Sequence, residues 1–171
     1  MSRVALISVA AAVLALAGCA EPQPPEFVSP QYKFKARFGA TPREIDQPAG
    51  DIPSRLFTAE SPSGAYTVRV FELPIPPETA SAASSKLLAE GADDLLRSVN
   101  ATESEKKPIT LAGKYPGLAL TATTPPPKSG VLRARIYLAG TRLYKVSVFG
   151  TEEFANAPAA DAFLESFTVT E

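Results

Sequence analysis

Two runs of alternating apolar and polar side chains lie close together late in the chain and predict a β-hairpin. They are Val131–Ala139 and Leu143–Phe149. Strict alternation is typical of a strand with one buried face, and neighbouring runs of this kind pair in an antiparallel manner. An antiparallel sheet is therefore the structure that any fold of this chain has to contain.

The apolar faces of the two runs predict a register. If both sets of apolar side chains lie on one buried face, Ile136 pairs with Val146. That pairing requires an odd loop, most simply Gly140 to Arg142, because a two-residue turn would place Lys145 opposite Ile136. We therefore predict a three-residue loop.

Five earlier segments also have the alternation and composition of strands. They are Tyr32–Phe38, Arg55–Glu60, Ala65–Leu73, Ile109–Ala112 and Leu118–Thr124. The second and third flank a Ser-Pro-Ser-Gly turn whose even length pairs Phe57 with Val68 and Ala59 with Tyr66. The segments that we interpret as loops or polar links are Gly39–Pro53, Asn100–Lys107 and Pro125–Gly130.

Two helices complete the pattern. From Glu78 to Val99, small and apolar residues recur at spacings of three and four without proline, which predicts one long amphipathic helix. We interpret Gly91 on its apolar face as a place where helix and sheet approach closely. Pro158 favours the start of a short C-terminal helix, and Thr168–Thr170 favours a last edge strand. The sequence thus predicts an α+β domain, a mostly antiparallel sheet packed by these helices.

The first residues have the organisation of a secretory leader. Arg3 supplies a positive start, and Val4–Leu16 is an apolar run with one serine. Thirteen helical residues span about 20 Å, which is short of the roughly 30 Å of a hydrocarbon core, so the run predicts a signal peptide. Leu16-Ala17-Gly18-Cys19 follows it and resembles the lipobox of bacterial lipoproteins.

This resemblance implies that a lipid is attached to Cys19 and that the leader is cleaved before it. Cys19 is the only cysteine of the chain, so no partner exists within it for a disulfide. Stable anchoring needs more than one acyl chain, as this class of lipid provides. Ala20 stands where an Asp retains Gram-negative lipoproteins in the inner membrane. The resemblance therefore implies the outer membrane, facing the periplasm, if the source is Gram-negative.

These features predict the organisation of the chain. Residues 1–18 form a signal peptide, residues 19–30 a lipidated Pro-rich tether, and residues 31–171 one α+β domain.

The composition excludes several classes of chemistry. The chain of 171 residues has no His, which excludes Ser-His-Asp and Cys-His catalysis and His-ligated zinc or haem. Its net charge of −1 argues against a nucleic-acid binder. We interpret Asp93-Asp94 and Glu152-Glu153 as solvated surface. Ser84-Ser85-Lys86 resembles a catalytic Ser/Lys pair, but it lies on the predicted helix, where residues two apart do not face each other. We therefore predict no catalytic residues, no metal and no cofactor beyond the lipid on Cys19.

Basic residues concentrate on the predicted strands and form the candidate anion-binding residues. They are Lys33, Lys35, Arg37, Arg133, Arg135 and Lys145. In the three-residue-loop register, Arg133, Arg135 and Lys145 share one face, which would suit an anionic partner. The alternative is that these long side chains cover the sheet and pair with helix carboxylates.

A second resemblance covers most of residues 31–170. It depends on the aromatic strand leading into Phe38-Gly39-Ala40-Thr41-Pro42, the helix in mid-chain, the late hairpin and the ending Phe163-Leu164-Glu165-Ser166-Phe167. This order is similar to small secreted domains of the Mog1/PsbP-like fold. The resemblance implies an antiparallel sheet flanked by helices and a non-enzymatic binding or assembly role, and it transfers no functional residue.

Three hypotheses for function follow. The first is a membrane-anchored cell-envelope lipoprotein that acts as a non-enzymatic binding or assembly-accessory module, with an envelope protein or anionic glycolipid as its partner. The second is a carrier of anionic lipid or glycolipid that uses the basic strand face. The third, a hydrolase relying on carboxylates alone, requires two carboxyl groups roughly 5–9.5 Å apart in a cleft.

Overall fold

The computed structural model describes residues 25–127 and 129–171. The leader and Cys19 lie outside the described residues. The strands are β1 (Phe27–Ser29), β2 (Phe34–Ala36), β3 (Arg43–Asp46), β4 (Ser54–Ser61), β5 (Gly64–Glu72), β6 (Thr102–Leu111), β7 (Tyr115–Thr124), β8 (Gly130–Ala139), β9 (Arg142–Gly150) and β10 (Thr168–Val169). The helices are α1 (Pro77–Ala82), α2 (Ser84–Ser98), α3 (Glu152–Ala155) and α4 (Pro158–Ser166).

The strands form two antiparallel sheets. The large sheet has seven strands in the order β3-β4-β5-β9-β8-β7-β6, and the small sheet has the order β1-β2-β10. The α+β class with mostly antiparallel strands is confirmed. One side of the large sheet, here called the helix face, packs against α1 and α2. The other side, here called the aromatic face, packs against the small sheet, α3 and α4.

The aromatic face holds a cluster of buried rings. Phe34 is completely buried, and its ring centroid lies 5.0 Å from that of Phe57 and 5.8 Å from that of Phe167. The alternating burial predicted for Tyr32–Phe38 is confirmed, although only Phe34–Ala36 pairs as a strand. β10 adds to β2 in this small sheet, and α4 begins at Pro158 as predicted.

The register predicted for the β4–β5 hairpin is confirmed. Phe57 pairs with Val68 and Ala59 pairs with Tyr66. Because these side chains are apolar and all lie on the aromatic face, burial and turn length favour the same register.

The register predicted for the β8–β9 hairpin is wrong. The turn has two residues, Gly140 and Thr141, and Ile136 pairs with Lys145. Gly140 has a φ of 60°, which suits the first central position of a type II′ turn. The prediction assumed one buried face, whereas this hairpin lies in the middle of the sheet and is covered on both faces. Apolar sets on opposite faces can therefore both be buried.

The single long helix predicted from Glu78 to Val99 is interrupted. α1 ends at Ala82, and α2 starts at Ser84 after Ala83, whose φ and ψ are −95° and 10°. The interpretation of Gly91 is confirmed. A Cβ atom placed there would lie 3.1 Å from Leu143 Cδ2, so α2 and β9 approach closely at this point.

Three edge strands lie in segments that the sequence assigned to loops or tether. β1 falls in the predicted tether, β3 in the loop 39–53, and the first half of β6 in the polar link 100–107. All four residues of β3 are exposed, as are the first seven of β6. Edge strands of this kind pair through their backbones, so their side chains carry no alternation of burial. In residues 25–127 and 129–171, no helix is long and apolar enough to cross a membrane.

Candidate functional site

Polar side chains are buried in the middle of the helix face. Ser54, Thr58, Lys145 and Ser147 are buried there although the rest of that face is largely apolar. Together with their neighbours on adjacent strands they form what we call the polar seam. Its members are Ser54, Thr58, Thr67, Arg69, Lys145 and Ser147.

The strand register brings the seam together. Thr67 on β5 pairs with Ser147 on β9, and Arg69 pairs with Lys145 two residues further along the two strands. The hydroxyl oxygens of Thr67 and Ser147 lie 2.6 Å apart. Arg69 donates from Nε to Ser54 Oγ at 3.1 Å and from Nη2 to the Gln47 carbonyl at 2.8 Å. Buried polar groups need such partners, because an unsatisfied one costs free energy.

Lys145 is the most unusual residue of the seam. Its side chain is only 5% exposed, and its Nζ donates to Asp94 Oδ2 of α2 at 2.5 Å. The same Nζ lies 4.7 Å from the centroid of the Phe71 ring, over which the Arg69 guanidinium also lies, at 4.6 Å. The ammonium thus has a carboxylate on one side and an aromatic ring on another, two environments that favour a cation.

Burial and neighbouring charges shift the pKa values of Lys145, Arg69 and Asp94 in opposite directions. Burial lowers the pKa of Lys145 below its ordinary value, against the opposing effect of Asp94. Burial also lowers the pKa of Arg69. Burial raises the pKa of Asp94, but the hydrogen bond from Lys145 and the nearby positive charges bring that pKa below its ordinary value.

Positive charge exceeds negative charge around the seam. The charges of Lys145, Arg69 and Arg97 all act on the Asp94 carboxylate. Asp94 is in turn the carboxylate whose charge acts on Lys145 and Arg69. Arg97 lies three residues after Asp94 on α2, and Arg69 and Lys145 lie over the same Phe71 ring, so three cations lie near one carboxylate, which is 52% exposed.

A groove opens next to the seam at the end of α2. Its volume is about 560 Å³, which lies in the ordinary range of ligand sites. We call it the proline groove, and it is lined by Arg97, Ser98, Val99, Asn100, Thr124, Pro125, Pro126, Pro127 and Phe149. Phe149 follows Lys145 and Ser147 on the same face of β9, and Arg97 lines the groove while its charge acts on Lys145. The seam and the groove therefore follow one another along the same face of β9.

The candidate anion-binding residues are not brought together. Lys145 lies on the helix face, whereas Arg133 and Arg135 lie on the aromatic face, because the observed register separates them. The predicted shared face of Arg133, Arg135 and Lys145 is therefore corrected.

Arg133 and Arg135 bind helix ends. Arg133 donates to the Ala155 carbonyl at 2.9 Å and to Asp161 at 2.5 Å. Arg135 donates to the Leu164 carbonyl at 3.1 Å. Cations stabilise the carboxyl ends of helices, where carbonyl groups lack partners within the helix. Both arginines also border a cleft of about 180 Å³.

The other three candidates lie around the small sheet. Lys35 forms an ion pair with Glu26 at 3.2 Å. Lys33 is exposed in the turn before β2, with a φ of 50°. The backbone N–H of Arg37 donates to Ser166 Oγ at 2.8 Å. The candidate lipidation residue, Cys19, lies outside the described residues.

Sequence reasoning missed the seam for a specific reason. A strand that alternates apolar and polar side chains predicts one apolar and one polar face, so the sequence groups Lys145 with Arg133 and Arg135 rather than with buried side chains. The Asp94 side chain is 52% exposed, as interpreted, but it also pairs with a buried lysine. The signal that could have found the site is the two-residue turn, which places Lys145 opposite the apolar Ile136.

The described part of the chain contains no group of three or more His, Cys, Asp or Glu side chains placed to hold a metal ion. Lys86, of the Ser84-Ser85-Lys86 stretch, pairs with Glu90 on the exposed side of α2 at 3.7 Å.

Comparison with known proteins identifies the fold. No family model and no curated protein sequence matches the chain. The fold is similar to the solution structure of cyanobacterial PsbP (CyanoP) from Synechocystis sp. PCC 6803, with a TM-score of 0.59 and 9% identity over 92% of this chain and 98% of that chain. A Pseudomonas aeruginosa protein of unknown function, described as a putative regulator, matches with a TM-score of 0.43 and 9% identity over 68% and 87%. A Bacteroides thetaiotaomicron protein matches with a TM-score of 0.45 and 13% identity over 88% and 50%. The PsbP-like fold is therefore confirmed.

Proposed function

We propose that this chain is a lipid-anchored, non-enzymatic lipoprotein of the cell envelope whose domain binds a partner in the proline groove. The observation that carries the binding role is the groove itself. It is an open, mostly apolar surface of about 560 Å³ at the end of α2. Sites of this size and lining bind ligands when a few polar groups border them, as Arg97 and Asn100 do here.

The anchor is supported by the sequence at the start of the chain. A charged start, an apolar run and Leu16-Ala17-Gly18-Cys19 follow one another at the distances that bacterial lipoproteins use. If the source is Gram-negative, Ala20 next to the cysteine places the anchored chain in the outer membrane, facing the periplasm.

A non-enzymatic role is supported by the side chains available. The chain has no His and its one Cys is assigned to the anchor, so the usual nucleophile and base pairs cannot be formed. Asp94 is engaged with Lys145, and Asp161 with Arg133. Both carboxylates therefore have a cationic partner.

The hypothesis of an anionic-lipid carrier on the basic strand face has less support. Arg133 and Arg135 border a cleft, but Asp161 and Glu165 pair with them and reduce its positive charge. We therefore assign ligand binding to the helix face.

The proposal is tested with one anchor variant and two groove variants. Cys19→Ser removes the sulfur that would carry the lipid, so we expect intact-mass analysis to find the added acyl mass on wild type and none on this variant. Ser98→Tyr places a ring in the groove from the exposed end of α2. Ser85→Tyr makes the same change on an exposed part of α2 that does not line the groove.

Affinity capture from detergent-solubilised envelopes then measures binding. We expect wild type and Ser85→Tyr to retain the same partner and Ser98→Tyr to lose it. Equal retention by Ser98→Tyr would contradict the groove, and an unmodified Cys19 thiol in wild type would contradict the anchor. Turnover of an envelope substrate by the purified chain would contradict the non-enzymatic role.

A further inference from the structure

The ion pair between Lys145 and Asp94 is unequal in its exposure. The Lys145 side chain is 5% exposed, whereas that of Asp94 is 52% exposed. A buried ammonium needs a counterion, because an unpaired buried charge is strongly unfavourable. A half-exposed carboxylate can turn towards water at little cost. Lys145 therefore requires an anion, but that anion need not be Asp94.

The surrounding charges favour an incoming anion. Arg69 and Lys145 lie over the same Phe71 ring, and Arg97 lies three residues after Asp94 on α2, so an anion in place of Asp94 would have three cations near it. A phosphate monoester carries about 1.5 to 2 negative charges at pH 7 and has three strong acceptor oxygens. It therefore offers these cations more negative charge than the Asp94 carboxylate does.

The apolar part of this face lies further along β9 from these cations. Phe149 lies four residues beyond Lys145 on the same face of β9, a distance of about 13 Å along a strand. Arg97 joins the two parts, since it lines the proline groove and its charge acts on Lys145. A ligand that reaches both parts needs an anionic head and an apolar body.

We propose that the helix face binds an anionic amphiphile, with its phosphate head at Lys145, Arg69 and Arg97 in place of the Asp94 carboxylate and its apolar chain in the proline groove. This inference depends on the proposed function in that the domain is a binding module. It adds the chemical class of the ligand and assigns Asp94 the role of a displaceable internal anion.

The test uses the mature chain, residues 19–171, with Cys19→Ser, so that neither leader nor lipid anchor competes for the groove. The probes are decyl phosphate, decyl maltoside and inorganic phosphate, titrated by calorimetry below micellar concentrations. We expect decyl phosphate to bind about tenfold or more tightly than decyl maltoside, since only its head can form charge-assisted hydrogen bonds with the cations. We also expect it to bind more tightly than inorganic phosphate, which lacks the chain.

Variants locate the two ends of the ligand. Arg97→Gln should weaken decyl phosphate about tenfold and leave decyl maltoside unchanged. Lys86→Gln, which removes a cation from the exposed side of the same helix, should change neither. Asp94→Asn should strengthen the binding of both decyl phosphate and inorganic phosphate, because the competing carboxylate is gone. Ser98→Tyr should weaken decyl phosphate but leave inorganic phosphate unchanged.

Equal affinity for decyl phosphate and decyl maltoside would overturn the inference, as would an Asp94→Asn variant that binds phosphate no better than its parent. If neither amphiphile binds while Ser98→Tyr still abolishes capture of an envelope partner, the ligand class is wrong and the proposed function stands. If capture is also insensitive to Ser98→Tyr, both fail.

Discussion

The two faces of the large sheet are built on different principles. The aromatic face is closed by the small sheet and α4, and rings such as Phe34, Phe57 and Phe163 are 0–1% exposed. The helix face has aliphatic side chains under α2, buried polar groups beside them and an open groove at the end of the helix. The comparison indicates that apolar packing is continuous on the aromatic face, whereas on the helix face it is interrupted by the polar groups and the groove to which we assign the proposed site.

The contrast extends to the charged residues. On the aromatic face, Arg133 and Arg135 donate to main-chain carbonyls at the ends of α3 and α4, so they fasten helices to the sheet. On the helix face, Lys145 has a single carboxylate partner that is half exposed. Cations on the two faces therefore have different roles although the sequence presents them alike.

The largest effect is expected on the aromatic face. Phe34→Ala removes a completely buried ring that contacts four other rings. We expect the free energy of unfolding to fall by about 3–5 kcal/mol, measured by urea denaturation with far-UV circular dichroism. Val28→Ala on the adjacent strand, where the side chain is 49% exposed, should change it by less than about 0.5 kcal/mol. A similar loss in both variants would remove the distinction between core and surface there.

An intermediate effect is expected at the ion pair of the helix face. Asp94→Ala leaves the buried Lys145 charge without its counterion. Loss of a buried partner costs about 3–5 kcal/mol, and the half-exposed position of Asp94 reduces the expected cost to about 1–3 kcal/mol. Lys145→Met replaces the charge with an apolar chain of similar length, so we expect stability within about 1 kcal/mol of wild type.

Thermal and urea denaturation of the two single variants and the double variant measure this difference. The double variant should resemble Lys145→Met, because the uncompensated charge is absent from both. If Lys145→Met were the more destabilising of the single changes, the ion pair would add net stability to the fold. It would then do more than compensate for the burial of the Lys145 charge.

The smallest effect is expected for Tyr144→Phe on the aromatic face. The Tyr144 hydroxyl donates to the Tyr32 carbonyl at 2.9 Å, so its loss at neutral pH should cost about 1 kcal/mol. Burial raises the pKa of Tyr144 to about 12. The folded chain therefore keeps this proton where the unfolded chain, with a pKa near 10, loses it. The contribution is complete below about pH 10 and is lost as pH rises towards 12.

Wild type should consequently lose about 1.4 kcal/mol from this residue by about pH 11, and Tyr144→Phe should not. We expect the stability difference between the two proteins to disappear near that pH. Burial also raises the pKa of Tyr66 and Tyr137, so part of the alkaline destabilisation should persist in the variant. Urea denaturation at about pH 8 and about pH 11 checks this, and a difference that stays constant would argue against a buried, protonated Tyr144.

Sequence patterns predicted well where the paired apolar side chains of two strands share one face, as Phe57 and Val68 do. The β4–β5 register followed from side-chain alternation and turn length, and the buried positions of Tyr32–Phe38 followed from the same rule. The same rule gave the wrong register for β8–β9, because that hairpin is covered on both sides. It also missed β3, which is exposed along its whole length.

The candidate site shows the same division. The residue types could be named from the sequence, but the grouping of Lys145 with Arg69 and Asp94 depends on one residue of register and on the position of α2. A shift of one residue moves a side chain to the opposite face of the sheet. The predicted three-residue loop places Lys145 on one face with Arg133 and Arg135, whereas the observed two-residue turn places it on the opposite face, in the polar seam.

By itself the sequence determined the α+β class, the positions of the main strands, the apolar side of α2 and the expectation of a lipid anchor at Cys19. These follow from local spacing, which the chain carries in every conformation. Only the tertiary structure decided which face of β9 carries a buried cation and where the groove opens. Those depend on what covers each face of a strand, and the covering elements come from distant parts of the chain, as Asp94 does for Lys145.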